Sequence, residues 1–395
     1  MSFELSEEQR ELAGTVDRLL ADRTAGPRAR QLLERPDGWR ELWAGVAELG
    51  VPGMAAPEEA GGLGLGAVEL VAVAEAVGRH LAPGPVVATA GAFVPTVALA
   101  AAAAAAAPVT AAPAAAASGA AAPVTAAPVA TAPAAAETAR AALRAVAEDA
   151  QSGALAWADP LTDPARPRVR DGRLSGELLL ADAARVDHVA LVVADDDRDG
   201  AEAIALLAPG ELAHEPAVSV DETRPLTRLR ADGVDVSGRL LPAPPNVLAT
   251  AFATAAAELV GTADALVRMS VDYARERQQF GVAIGSFQAV KHRLADAWIA
   301  VERARSHVYH AATRAAAAPT APETATAAHF AKAAASEAAT TAARAAVQVH
   351  GGIGITREHD VSLLYLRARQ GGQLLGGSDV HYLAAVAGEL GRRSI

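Results

Sequence analysis

Cysteine is absent from the 395 residues, which excludes disulfides, thiolate metal sites, a cysteine nucleophile and cysteine-ligated iron–sulfur clusters. A chain this long holds two or three domains and buries a core without such staples. The lack of cysteine suits a reducing compartment, so a cytoplasmic protein is expected. Aromatic residues make up only 4 % against a hydrophobic share of 51 %, because alanine carries the apolar count. Much of that alanine reads as helix filler. Positive charge is in deficit, with Lys plus Arg at 35 against Asp plus Glu at 46 and a net charge of −11. Such a field repels polyanions and argues against a nucleic-acid partner. The N-terminus, MSFELSEEQRELAG, lacks the basic segment and apolar stretch of a secretory signal. The longest apolar run, Val97 to Ala107, ends at Pro108 and is too short and too weakly hydrophobic to span a bilayer, so no membrane role is expected.

What is present divides into three blocks. Residues 1–153 read as a helical N-terminal domain. Ser6 and Gln9 form a capping box, followed by Leu12, Val16, Leu19 and Leu20 at helical spacing. Further helices are predicted over Trp39–Leu49 and Ala67–Val77. The Gly61-Gly62-Leu63-Gly64-Leu65-Gly66 turn between them is preceded by Pro57-Glu58-Glu59-Ala60 rather than by a strand, so it reads as a helix connection and not as a nucleotide loop. Residues 101–136 are an Ala/Pro low-complexity insert in which APVTAAP occurs twice; extended or disordered chain is expected there, with a helix resuming near Glu137.

Residues 154–246 change to short β-rich runs, Leu174–Leu180, His188–Ala194 and Ala203–Ala208, which predict a middle antiparallel β-barrel or sandwich. Residues 247–395 are long-helical, with runs over Ala251–Arg277, Gln288–Ala316 and Ala321–His350 that predict a C-terminal four-helix bundle. Helix, strand and helix in consecutive blocks define an α+β fold.

Chemistry is densest in the last block. Arg275, Glu276 and Arg277 close a helix before Gly281, and Gln288 opens the next. A helix-terminal arginine beside a glycine turn suits a phosphate clamp, but on composition alone plain decoration of a helix C-terminus is the favoured reading. Gly351, Gly352 and Gly354 break a long helix after Gln348, either to admit another molecule's close approach or only to end the helix. His350, His359 and His381 lack metal-ligand spacing and read as surface or capping residues, so no metal site is assigned. No Ser-His-Asp order or Gly-x-Ser-x-Gly elbow stands out.

Arg277-Gln278-Gln279-Phe280-Gly281 with Phe287-Gln288, and then Gln348-Val349-His350-Gly351-Gly352-Ile353-Gly354, resemble the two C-terminal signatures of the acyl-CoA dehydrogenase family. Leu5-Ser6-Glu7-Glu8-Gln9 and Pro57-Glu58-Glu59-Ala60-Gly61-Gly62-Leu63-Gly64 resemble its N-terminal ones. The resemblance implies FAD held between subunits, with a hydride passing to flavin from the β-carbon of an acyl thioester while a carboxylate removes the α-proton. It implies that Arg277, Phe280, Gln288, Gln348, Gly351 and Gly352 touch the adenine and diphosphate end of a neighbour's FAD.

Departures from the family pattern shape the functional expectation. The usual base position falls on Gly376, within Leu374-Leu375-Gly376-Gly377-Ser378, and the alternative one falls on Ala251. Glu258 lies about two turns, ~10 Å, from Ala251 along the same helix and is a poor substitute. Trp157-Ala158-Asp159-Pro160-Leu161-Thr162-Asp163-Pro164 and Leu178-Leu179-Leu180-Ala181-Asp182 stand where the family lines its own flavin, so that half of the site reads as eroded. The pattern is similar to the base-less subunit of heteromeric actinobacterial acyl-CoA dehydrogenases. This implies a chain with no catalytic base of its own, a base-bearing homologous subunit as partner in a dimer or heterotetramer, an acyl thioester on CoA or a carrier protein, and electron-transfer flavoprotein as acceptor. The alternatives are a self-sufficient flavoenzyme using a base such as Asp379, and a flavin-free binding protein on the same fold.

Overall fold

The computed structural model describes residues 4–24, 28–35, 37–106, 132–158 and 166–393. Six helices come first: α1 (Glu7–Thr24), α2 (Arg28–Glu34), α3 (Trp39–Glu48), α4 (Ala67–Arg79), α5 (Val94–Ala106) and α6 (Ala132–Glu148). The capping box at the start of α1 is made: Ser6 N donates to Gln9 Oε1 at 2.9 Å and Gln9 N donates to Ser6 Oγ at 3.1 Å. The glycine turn before α4 follows a short 3₁₀ segment, Glu58–Ala60, and not a strand. It is a helix connection.

The helix boundaries around the Ala/Pro insert correct the sequence-based expectation. Helix α5 continues to Ala106, because the run from Ala101 has no proline until Pro108. Helix α6 starts at Ala132, five residues earlier than expected, with Pro133 in its first turn where a missing N–H is harmless. Ala101, Ala104, Ala135 and Ala136 are buried and the two helices pack together. The rest of the insert, 107–131, lies outside the described residues.

Eight strands follow: β1 (Gly153–Ala156), β2 (Arg168–Arg170), β3 (Arg173–Ala181), β4 (His188–Asp195), β5 (Ala201–Leu207), β6 (Ala213–Pro216), β7 (Leu226–Asp235) and β8 (Leu240–Pro242). They form one sheet in the order β6-β7-β3-β2-β4-β5-β8, with β1 added on β4. The pairing is mixed rather than wholly antiparallel, since β1 and β2 both run parallel to β4. Among the described residues the path ends on β6 and β8, leaving the barrel open. Leu174, Val189, Leu191, Val193 and Leu229 fill the sheet's own core.

The chain closes with α7 (Ala249–Glu276), the hairpin β9 (Gln278–Gln279) and β10 (Val282–Ala283), α8 (Gln288–Ala317), α9 (Pro322–His350), α10 (Asp360–Gly371) and α11 (Ser378–Arg393). Helices α7, α8 and α9 pack on one another, and α10 and α11 both pack along α9. Alanine here is core, not filler: Ala331, Ala335, Ala338, Ala342 and Ala346 of α9 are all buried. Small faces let helix axes approach closely, and α4 against α7 shows the limit. A Cβ on Gly78 would lie 1.9 Å from Glu258 O, and one on Gly261 would lie 1.9 Å from Glu75 O. Two segments, Val87–Ala106 and Ala249–Glu276, are long and apolar enough to cross a membrane, contrary to the sequence-based reading, but 67 % and 89 % of their apolar windows are buried inside the fold.

Candidate functional site

Sheet and bundle meet around Trp157, just after β1. On one side lies a cleft of about 740 Å³ lined by Trp157, Leu178, Leu179, Tyr365, Arg369 and Gln373. Strand β3 runs along the cleft with adjacent Leu178 and Leu179, one buried and one exposed, and α10 supplies Tyr365 and Arg369 from one helical face. Trp157, Leu178 and Leu179, from the two segments that depart from the family pattern, wall a roomy cleft. Residues 159–165, which include the rest of the first of these segments, lie outside the described residues.

Behind Trp157, Leu374 and Leu375 is a second cavity of about 80 Å³, lined also by Ala251, Ala255, Glu258, Asp182 and Arg224. Ala251 is fully buried in this wall. Gly376 lines the cleft at φ +95°, after Leu375 at φ +55°. Neither expected base position carries a titratable group. Glu258 reaches the cavity, but its Oε2 accepts from Arg224 Nη1 at 2.8 Å and its Oε1 from Arg367 Nη1 at 2.9 Å. Its lone pairs are directed to guanidinium groups. Arg367 also bonds Asp221 Oδ2 at 2.6 Å, and Arg224 pairs with Asp182. Burial pushes the Asp182 carboxyl up, and Arg224, Arg185 and Arg367 pull it back. Asp379 is exposed in the first turn of α11 and lines neither cavity.

The loop carrying Gly376 is tied from beneath by residues the motif analysis missed. Lys332 Nζ donates to Gly376 O at 2.9 Å, Gly372 O at 3.2 Å and Ser336 Oγ at 3.1 Å. Burial brings its pKa down to about 7. His381 Nε2 donates to Leu375 O at 2.7 Å, and its Nδ1 lies 2.8 Å from His329 Nδ1. Burial, Lys332 and His329 together push His381 down to about 3. One signal was available: Lys332 is one of two lysines in the chain, set among alanines. The surface-or-capping expectation holds for His359, whose Nδ1 accepts from Val361 N at 3.3 Å at the start of α10. It fails for His381 and His350, which are buried; the bundle closes over the first, and the Tyr273 ring stacks on the second at 4.3 Å.

The six residues expected to face a neighbour's FAD lie at the other end of the bundle. Ala274, Leu294 and Val349 form a small core there, holding together the end of α7, the start of α8 and the end of α9. Around it, Arg277, Phe280, Gln288, Gln348, Gly351 and Gly352 are all exposed. The Arg277 side chain makes no ion pair or hydrogen bond among the described residues, so it does not decorate its helix end through a local partner. Phe280 is 92 % exposed at φ +54°, a backbone conformation that favours glycine, and meets Phe287 edge to face at 6.2 Å. Gly351 has φ +66° and open space where a Cβ would stand. An unpaired guanidinium, two amides, presented aromatic rings and glycine backbone suit the diphosphate and aromatic base of a dinucleotide. Being exposed, they would cover only one side of it.

Comparison with known proteins agrees with this architecture. Residues 6–107 match the acyl-CoA dehydrogenase N-terminal domain, and residues 248–389 match the acyl-CoA dehydrogenase C-terminal domain. Acyl-CoA dehydrogenase IpdE2 of Mycobacterium tuberculosis is 33 % identical over 93 % of this chain and 93 % of its own length. The ChsE4-ChsE5 complex from M. tuberculosis contains a chain with TM-score 0.78 and 27 % identity, covering 99 % of both chains. A Tcur3481-Tcur3483 steroid ACAD variant has the same fold, with TM-score 0.80 at 24 % identity over 98 % of this chain and 99 % of its own. The chain belongs to the acyl-CoA dehydrogenase family, an FAD-dependent oxidoreductase class.

Proposed function

We propose that this chain is the base-less subunit of a heteromeric FAD-dependent acyl-CoA dehydrogenase that desaturates an acyl thioester. The observation that carries the reading is in the walls of the cleft, which holds Gly376, and of the small cavity, which holds Ala251. Both base positions are Gly376 and Ala251, and the carboxylate nearest them along α7, Glu258, is bonded to two arginines. A weakly acidic α-proton needs a positioned and available base, which a homologous partner subunit would supply. The pairing of ChsE4 with ChsE5 in one complex supports this arrangement by analogy.

Bound FAD would serve as the hydride acceptor. This chain's part is to bind and orient it: Arg277 would pair with the diphosphate, Gln348 and the Gly351-Gly352 backbone would approach it, and Phe280 and Gln288 would face the adenine. The donor set described above fits that task. At the cleft, Trp157, Leu178 and Leu179 would exclude water. An acyl thioester on CoA or a carrier protein would be the substrate, and electron-transfer flavoprotein would take the electrons.

Co-expression with a base-bearing homologue tests the reading. Alone, the chain should bind FAD substoichiometrically and show no detectable dehydrogenation of straight-chain acyl-CoA. The purified complex should carry tightly bound FAD and be active. Full FAD occupancy with robust activity in the isolated chain would overturn it.

A further inference from the structure

Among the described residues, Trp157 is the one that lines three cavities where sheet and bundle meet: the cleft of about 740 Å³, the small cavity of about 80 Å³ and a further pocket of about 430 Å³. No other described residue is shared by the cleft and the third pocket. The indole is therefore the partition between them. It is packed on three sides: Phe252 meets it edge to face at 5.3 Å, His381 lies at 6.3 Å, and its Cζ3 stands 3.2 Å from where a Cβ on Gly376 would lie. A ring held in this way moves only by disturbing its neighbours, because close-packed surroundings leave it no free volume.

Polarity across the cleft gives it a direction. Glu177, Arg228, Arg369 and Gln373 are exposed, whereas Trp157, Leu374 and Leu375 are half-buried. The polar carrier of an acyl thioester keeps its hydration at the exposed side, and the acyl tail leaves water at the apolar one. That tail runs toward the indole. Beyond the ring, the third pocket is lined mainly by apolar residues, among them Pro244, Val247, Leu248 and Phe252, with Glu202, Asn246 and His329 as its polar members. A longer tail would find apolar room there if the indole did not stand in its path.

We propose that Trp157 is the specificity-determining residue of this cleft: its indole is the wall at which the acyl tail of a bound thioester ends, so methylenes beyond that length add nothing to binding. The inference rests on the acyl-thioester reading of the cleft and not on the partner-subunit reading. Cutting the indole back would join the cleft to the pocket behind it and let a longer tail leave water.

Calorimetric titration of the full chain with butanoyl-, hexanoyl-, octanoyl- and decanoyl-CoA tests this. Each methylene taken out of water tightens binding about fourfold. Wild-type affinity should rise at first and then level off within the series. In Trp157→Ala it should keep rising past that length, by about tenfold for each two-carbon step. Trp157→Phe, with a smaller ring, should level off at a longer chain than the wild type, and it carries the test if melting curves show the alanine variant to be unfolded. Wild-type affinity still climbing at decanoyl-CoA, or variants that level off at the wild-type length, would overturn the proposal. Absence of binding by every acyl-CoA would overturn the acyl-thioester reading and the proposal with it, so the two failures are told apart.

Discussion

Nζ of Lys332 lies 2.9 Å from the carbonyl oxygen of Gly376, so a buried amine anchors the residue expected at the family's base position. Burial lowers that amine from 10.5 to about 7. Between those values the unfolded chain holds the proton more tightly than the folded one, so this group makes stability rise with pH across that window. Relative to Lys332→Met, the wild type should gain stability from pH 7 to 9 with a slope of at most about 1.4 kcal/mol per pH unit. Urea denaturation of both proteins at pH 6, 7.5 and 9 measures it, and a pH-independent difference would refute it.

His381 gives the acid counterpart. Its folded value of about 3 lies below the ordinary 6.5, so its contribution is present above pH 6.5 and is lost progressively as pH falls toward 3. Carboxylates titrate over part of the same range, so the informative quantity is the difference from His381→Leu. The melting temperature of the wild type should fall more steeply than that of the variant between pH 7 and 4.5. Parallel curves would mean that His381 already accepts a proton in the fold.

Elements and site were legible to different degrees. Long helices such as α7, α8 and α9 were readable within two residues at each end, because a 3.6-residue pattern held over many turns is hard to mistake. Short α2 and the pairing of β1 and β2 with β4 were not, since three or four residues carry no period and partners are chosen by tertiary packing. The motif residues Arg277 to Gly352 were legible as a set, and the small core of Ala274, Leu294 and Val349 brings their helix ends together. Lys332 and His329 escaped notice, and His381 was misjudged, because they act through distances closed only by folding. The same holds for Arg224, which meets Asp182 and Glu258 across the sheet–bundle boundary.

The packing of α5 against α6 sets a test for the insert. These helices are described up to Ala106 and from Ala132. Loop-closure entropy changes only slowly with length, each doubling being worth about 0.6 kcal/mol. Replacing residues 110–129 with a short Gly-Ser turn should therefore shift the melting temperature little. A large drop would show that this segment packs on the body.

Arg277 is exposed and unpaired within the described chain, so Arg277→Ala should leave the melting temperature of the isolated chain almost unchanged. In the assembled complex it should lose a charge-assisted contact to the FAD diphosphate, worth about 1.5 to 3 kcal/mol. FAD affinity would weaken by about one to two orders of magnitude. The ratio of FAD to protein after dialysis, alongside the melting curve, reads both. Unchanged flavin would remove this face from the cofactor site.

Gly376→Glu would put a carboxylate at the position expected for the family's base, and the local geometry opposes it. At φ +95° a side chain is strained, and a Cβ would stand 3.0 Å from His381 Nε2 and 3.2 Å from Trp157 Cζ3. Those rings are packed on Phe252 and on each other, and His381 is also held by Leu375 O, so they cannot withdraw cheaply. A residue forced into this conformation costs about 1 to 3 kcal/mol before any cost of burying charge. The variant is expected to melt several degrees lower and to show no dehydrogenation on its own. A stable Gly376→Glu chain that oxidises acyl-CoA without a partner would mean that the loop can rearrange and that this chain's cleft is a complete flavin site lacking only its base.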